Sequence, residues 1–132
     1  MRVAAGLYRG GTSRGLIFSA SDLAMYSQRA REYIICSAMG SPDPDQRQID
    51  GVGGGVSSLS KAAVVSVPSR DRHMDRLSRM GEEWAFPGVP WADDVVRACD
   101  AETGYDAVYR FGQVPVSGGT GIDWSATCGN MM

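Results

Sequence analysis

Glycine limits what this chain can fold into more than any other feature. There are 17 glycines among 132 residues, near twice the ordinary share. They cluster ahead of short apolar runs. "YRGGTSRGLIF" places a glycine turn, residues 9–15, between two strand-like stretches at 2–8 and 15–19. "GVGGGVSSLSK" ends a second glycine-serine loop at Lys61, directly before the apolar run 62–67.

Between the two loops lies a helical pattern. Leu23, Tyr26, Ala30, Tyr33, Ile34 and Ala38 recur at helical spacing, with Gln28, Arg29, Arg31 and Glu32 largely off that stripe. The expectation is one helix over 22–39, capped by Ser21 and closed by Gly40 and Pro42. Residues 41–50 read as a loop. The stretch 68–104 is charged, carries Pro87, Pro90 and two tryptophans, and reads as a surface insertion. Residues 105–118 then alternate as a strand, with Pro115 pushing it towards a sheet edge or a bulge.

Composition excludes several classes. The chain suits one modest domain, and 43% hydrophobic with 21% charged residues is a globular balance. A net charge of −2 gives no reason to expect nucleic acid or an anionic membrane. No apolar stretch approaches the roughly 20 residues that span a bilayer. Cys36, Cys99 and Cys128 are odd in number and widely spaced, which fits a reducing, cytoplasmic setting better than a disulfide framework. One histidine, His73, and the lack of CxxC or HExxH argue against a metal site.

Neither nucleotide template fits the second glycine loop. GxGxxG needs glycine where Val56 stands, and the P-loop pattern fails because Ser60 precedes Lys61 and Ala62 follows it. Successive glycines still expose N–H groups that can cradle a carboxylate, though a plain flexible turn fits equally. "RGGTSRG" is either a carboxylate clamp or an ordinary hairpin turn. Lys61 is either a strand-end lysine reaching solvent or a partly desolvated amine able to act as a base. Cys128 follows Thr127, a fair N-cap, so its thiol would sit at a helix N-terminus, where thiolate is favoured. A lone cysteine is also often a small buried hydrophobe. Cys36 and Cys99 are read that way.

"YRGGTSRGLIF", "MGSPDPDQRQIDGVGGGVSSLSKAAVVS" and "ATCGNM", in that order, resemble the PrpF-like isomerase family. The resemblance covers about residues 2–67 and 105–132. It implies an α+β fold of the diaminopimelate-epimerase type, with a curved sheet around a central helix. It also implies a cofactor-independent isomerase acting on an unsaturated di- or tricarboxylate of the aconitate, methylaconitate or oxalomesaconate type.

By the same resemblance Lys61 is the proton-moving base and Cys128 its partner acid. Thr12, Ser13, Arg14, Gly54, Gly55, Ser57, Ser60, Gly129 and Asn130 would hold substrate carboxylates, with no cofactor and no metal. Two departures stand out. Family members commonly read Gly-Gly-Gly-x-Ser-Leu-Thr-Ser-Lys, so Leu59 stands where a threonine is usual. Lys61 and Cys128 are 67 positions apart, roughly twice the family's spacing, the excess being 68–104.

Family members are roughly three times this length, with the site between two similar halves. Residues 1–132 are therefore expected to be the N-terminal half, cut where the central helix begins at Cys128, and to need the missing C-terminal half. The alternatives are a non-catalytic fragment that at most binds carboxylates, and an amino-acid epimerase of the same fold.

Overall fold

The computed structural model describes residues 2–66, 107–117 and 121–132. The expected insertion at 68–104, with His73 and Cys99, lies outside the described residues. Four strands form one sheet in the order β1-β2-β3-β4: β1 (Ala5–Gly10), β2 (Ser13–Ser19), β3 (Lys61–Ser66) and β4 (Val108–Gln113). β1 and β2 form an antiparallel hairpin, β2 and β3 run parallel, and β3 and β4 are antiparallel.

The parallel pair dictates the rest. The chain must return from the end of β2 to the start of β3, and helices α1 (Ala20–Leu23) and α2 (Gln28–Met39), then the glycine loop, make that crossing. The outcome is a mixed α+β unit, as the resemblance implies. The first strand begins and ends later than expected, and the second opens at Ser13, because Gly10 pairs with Ser13 and leaves a two-residue turn, Gly11–Thr12. Gly11 takes a φ of 54° there, as hairpin turns of this length demand. Pro115 lies just beyond β4, an edge strand whose last residue, Gln113, pairs once more with Asp123.

Strand alternation sorts the side chains onto two faces. Leu16, Phe18, Ala62 and Val64 point one way and are buried with Leu23, Ile35 and Met39. Each of these side chains larger than alanine contributes about 1.5–3 kcal/mol by leaving water. Ser13, Lys61, Ala63 and Phe111 are also buried, on the opposite face. The functional residues gather there.

The single helix expected over 22–39 is two helices, broken at Ala24–Ser27. The cap of the longer one is Ser27, whose hydroxyl accepts from the Ala30 N–H at 3.4 Å, while Ser21 lies within α1. Arg31 explains the break. The sequence pattern puts it off the apolar stripe, yet it is buried, and its guanidinium donates to the Leu23 carbonyl at 3.0 Å and the Ala24 carbonyl at 3.5 Å. Tyr33, assigned to the stripe, is 73% exposed. Gly40 ends α2 as expected: its N–H bonds to the Ser37 carbonyl and that of Ser41 to the Cys36 carbonyl, the paired closure that follows a left-handed residue.

At Cys128 the structure has a turn at Gly129–Asn130, closed by the Met131 N–H on the Cys128 carbonyl at 3.0 Å, and not the start of a helix. One such bond does not repay the dihedral freedom a helix nucleus costs. Thr127 does not cap it; its hydroxyl contacts Met132 Sδ. Among the described residues no helix is long and apolar enough to cross a membrane.

Candidate active site

One row of residues runs straight across the sheet: Tyr8 pairs with Gly15, Gly15 with Lys61, and Lys61 with Gln113. Lys61 is the only lysine in the sequence. It opens β3 and is only 8% exposed. Its Nζ donates to Gln113 Oε1 at 2.9 Å and lies 5.2 Å from the centroid of the Phe111 ring, within cation–π reach.

Gln113 is held in turn. Its Nε2 donates to the carbonyls of Ser60 at 2.7 Å, Ser57 at 3.1 Å and Val114 at 3.2 Å. Those carbonyls only accept, so the amide must turn its nitrogen to them and its oxygen to the lysine. Sequence reasoning missed Gln113. The available signal was a polar residue closing an otherwise apolar alternation, Tyr109, Phe111, Gln113.

Cys128 comes to the same end of the sheet. Its Sγ lies 3.5 Å from Ser13 Oγ, and Asn130 Nδ2 donates to Ser13 Oγ at 3.4 Å and to Thr12 Oγ1 at 3.3 Å. The contact is close: a Cβ on Gly10 would run into the Asn130 carbonyl. Desolvation pushes the Cys128 thiol up. The Ser13 hydroxyl, the Asn130 N–H, the Lys61 charge and the Met131 N–H outweigh it and hold the thiol below its ordinary value of 9.0. Tyr109, on the same sheet face as Lys61, is raised by burial and by the nearby Cys128 charge. It borders a crevice of about 420 Å³ shared with Phe111, Trp124, Thr127 and Met132.

The remaining expected residues divide. Lys61, Cys128, Thr12, Ser13, Gly129 and Asn130 meet at this end of the sheet. Ser60 adjoins Lys61, with its carbonyl on Gln113 and its hydroxyl buried without a hydrogen-bond partner among the described residues. Ser57 takes part through its backbone carbonyl. Arg14 does not join the thiol. Strand alternation turns it to the other face, where Nη2 donates to the Gly53 carbonyl at 3.3 Å.

Part of the glycine loop serves the fold. Val52 and Gly53 give their N–H groups to the Ala38 and Met39 carbonyls of α2. Gly54 packs under Leu59, and Gly55 lies against the backbone of Gln46 and Arg47. Leu59 thus acts as a packing residue for the loop where the family pattern has a hydroxyl.

The family described as PrpF protein matches residues 1–77. A 2-methyl-aconitate isomerase from Shewanella oneidensis is 34% identical over 99% of this chain and 25% of its own length. A (4E)-oxalomesaconate Delta-isomerase from Novosphingobium is 50% identical over 47% of this chain and 16% of its own. A crystal structure of methylitaconate-delta-isomerase superposes with a TM-score of 0.64 at 27% identity, covering 99% of this chain and 24% of that one. The chain thus spans about a quarter of the length of the first of these relatives and of that structure. With the matched segment taking in the hairpin, the helices, the glycine loop and Lys61, this chain belongs to the PrpF protein family.

Proposed function

We propose that this chain carries the Lys61–Cys128 half of a cofactor-independent isomerase that moves, or cis–trans isomerises, a carbon–carbon double bond in an unsaturated di- or tricarboxylate. The whole protein would have the diaminopimelate-epimerase-like architecture, with residues 1–132 as a truncated part of its N-terminal half, 68–104 as a surface insertion and a second half closing the cleft. The names of its relatives, isomerases of 2-methyl-aconitate, oxalomesaconate and methylitaconate, support the substrate class. The observation that carries the reading is the placing of a buried, tethered amine at the same end of the sheet as a thiol whose proton is loosened.

The chemistry follows from those two groups. A C–H bond allylic to the double bond and near a carboxylate breaks, and its proton passes to neutral Lys61 Nζ. The electron pair delocalises over the allyl unit and the carboxylate, whose charge is held by N–H and hydroxyl donors. A proton then arrives at another carbon, from the Cys128 thiol or back from Lys61. If Cys128 gives it, Lys61 keeps the first proton and the thiolate recovers one afterwards. Rotation in the delocalised intermediate exchanges cis for trans.

The full-length protein should be assayed with trans-aconitate, 2-methyl-trans-aconitate and oxalomesaconate, beside Lys61→Met. Turnover of one acid, reduced about 10²–10⁴-fold in the variant, is the expected result. Activity within about threefold of the parent, against the size of a general base's usual contribution, would remove Lys61 as the base. No turnover of any of the three would favour a carboxylate-binding, non-catalytic chain.

A further inference from the structure

We propose that Gln113 is a positioning residue for the Lys61 amine, holding Nζ through its carboxamide oxygen at the mouth of the site. This rests on the reading of Lys61 as the base. Three observations carry it. The two residues are direct cross-strand partners at the end of β3 and β4, so their side chains rise from the same face. The carboxamide has no freedom to flip, because its nitrogen is taken by the carbonyls of Ser57, Ser60 and Val114. Its oxygen is then presented to Nζ at 2.9 Å while the ring of Phe111 flanks the amine.

A lysine side chain has four rotatable bonds and wanders unless tied. A neutral amine that gives one N–H to Gln113 has its lone pair confined to directions away from β4. That is what a base needs before substrate arrives, and a misplacement of about 1 Å can cost on the order of a hundredfold in rate.

The chemistry of the holder matters too. An uncharged amide fixes the nitrogen without adding a full negative charge, whereas a glutamate there would favour the ammonium form and oppose its use as a base. The Lys61 charge in turn acts on the Cys128 thiol, and Tyr109 is a further titratable group on that sheet face among the described residues. Glutamine therefore reconciles two demands, a firm hold and a usable lone pair.

The test uses the full-length protein with 15N-labelled lysine, the Lys61 amine being assigned by its loss in Lys61→Met. In the parent, the Lys61 amine should give a slowly exchanging signal with a nuclear Overhauser contact to the Gln113 side chain. Gln113→Met should speed exchange of that amine about tenfold or more, and lower kcat about a hundredfold with KM within about threefold. Gln113→Glu should keep the slow amine signal, yet lose turnover and move the pH–rate profile to higher pH.

A parent protein without the Lys61–Gln113 contact overturns the proposal, even if both variants fail to fold. So does an amine signal unchanged in Gln113→Met, whatever the turnover. If the amine is released in Gln113→Met but the parent isomerises none of the acids, the positioning stands and the isomerase reading falls.

Discussion

Ser13 Oγ and Cys128 Sγ, 115 positions apart in the sequence, meet at 3.5 Å. Asn130 Nδ2 donates to the same hydroxyl oxygen at 3.4 Å. A serine hydroxyl has a single proton, and a thiolate can only accept, so in the ionised form of Cys128 that proton is the one that bonds the sulfur. Ser13, which the family resemblance assigns to substrate, is therefore tied to the thiol in this structure.

Removing that donor should make the thiol harder to ionise. Hydrogen bonding to the charged form lowers a pKa, so Ser13→Ala should raise that of Cys128. The pH–rate profile of iodoacetamide alkylation at Cys128 should move to higher pH, and the rate at pH 7.5 should fall several-fold. A profile that superposes on the parent's would show that Ser13 does not act on the sulfur.

Cys36 and Cys128 should differ sharply in reactivity. Burial, with help from the Glu32 charge, raises the Cys36 thiol from 9.0 to about 11, whereas Cys128 lies below 9.0. Two units or more separate their thiolate fractions about a hundredfold, and the lower nucleophilicity of the more acidic thiolate returns about tenfold of that. In a Cys99→Ser background, Cys128 should alkylate at least about tenfold faster than Cys36, measured by peptide mass spectrometry. Equal rates would return Cys128 to the status of a packing residue.

The same raised thiol sets an alkaline limit to stability. Cys36 packs against the buried cluster from α2, and its folded-state pKa exceeds the ordinary 9.0. Above pH 9 the unfolded chain releases a proton that the folded chain keeps, so stability falls as pH rises towards 11. Tyr109, also raised, adds to the trend with the same sign. Thermal melts from pH 8 to 11 should show a decline that is shallower in Cys36→Ala. Parallel curves for variant and parent would show that Cys36 is not responsible.

Local signals made part of this architecture readable. The glycine turn expected within 9–15, the stop at Gly40 and the apolar run after Lys61 are encoded in neighbouring residues, and each appears near its expected place. The meeting of Thr12, Ser13, Lys61, Cys128 and Asn130 came from motif order. What pattern could not supply was long-range. Gln113 gains its role only from antiparallel register with a residue 52 positions away. Nothing local reveals that the Val52 and Gly53 N–H groups of the glycine loop meet the Ala38 and Met39 carbonyls of α2. The split helix is hidden for the same kind of reason: nothing local shows that Arg31 turns inward to the Leu23 and Ala24 carbonyls.

That buried arginine is the basis of the last prediction. Arg31 is 3% exposed, and burying a guanidinium is costly, so its removal could in principle stabilise the fold. Against this, its Nε and Nη2 bond the Leu23 and Ala24 carbonyls at the break between α1 and α2. Those carbonyls lie where α1 ends, and backbone acceptors beyond a helix end need outside donors. Leu23 also accepts from the Tyr26 N–H at 3.1 Å, so it would lose only one of two partners. Ala24 would lose the arginine as donor. Arg31→Met keeps most of the apolar stem, and deleting charged hydrogen bonds to buried acceptors costs about 1–3 kcal/mol. The carbonyl loss should outweigh the relief of desolvation, and the protein should melt several degrees lower. Amide exchange should accelerate first at Ala24 and Tyr26, whose N–H groups bond the Ser21 and Leu23 carbonyls where α1 ends. A variant of equal or greater stability, with those amides unchanged, would mean that the arginine is tolerated in the fold without holding the two helices in place.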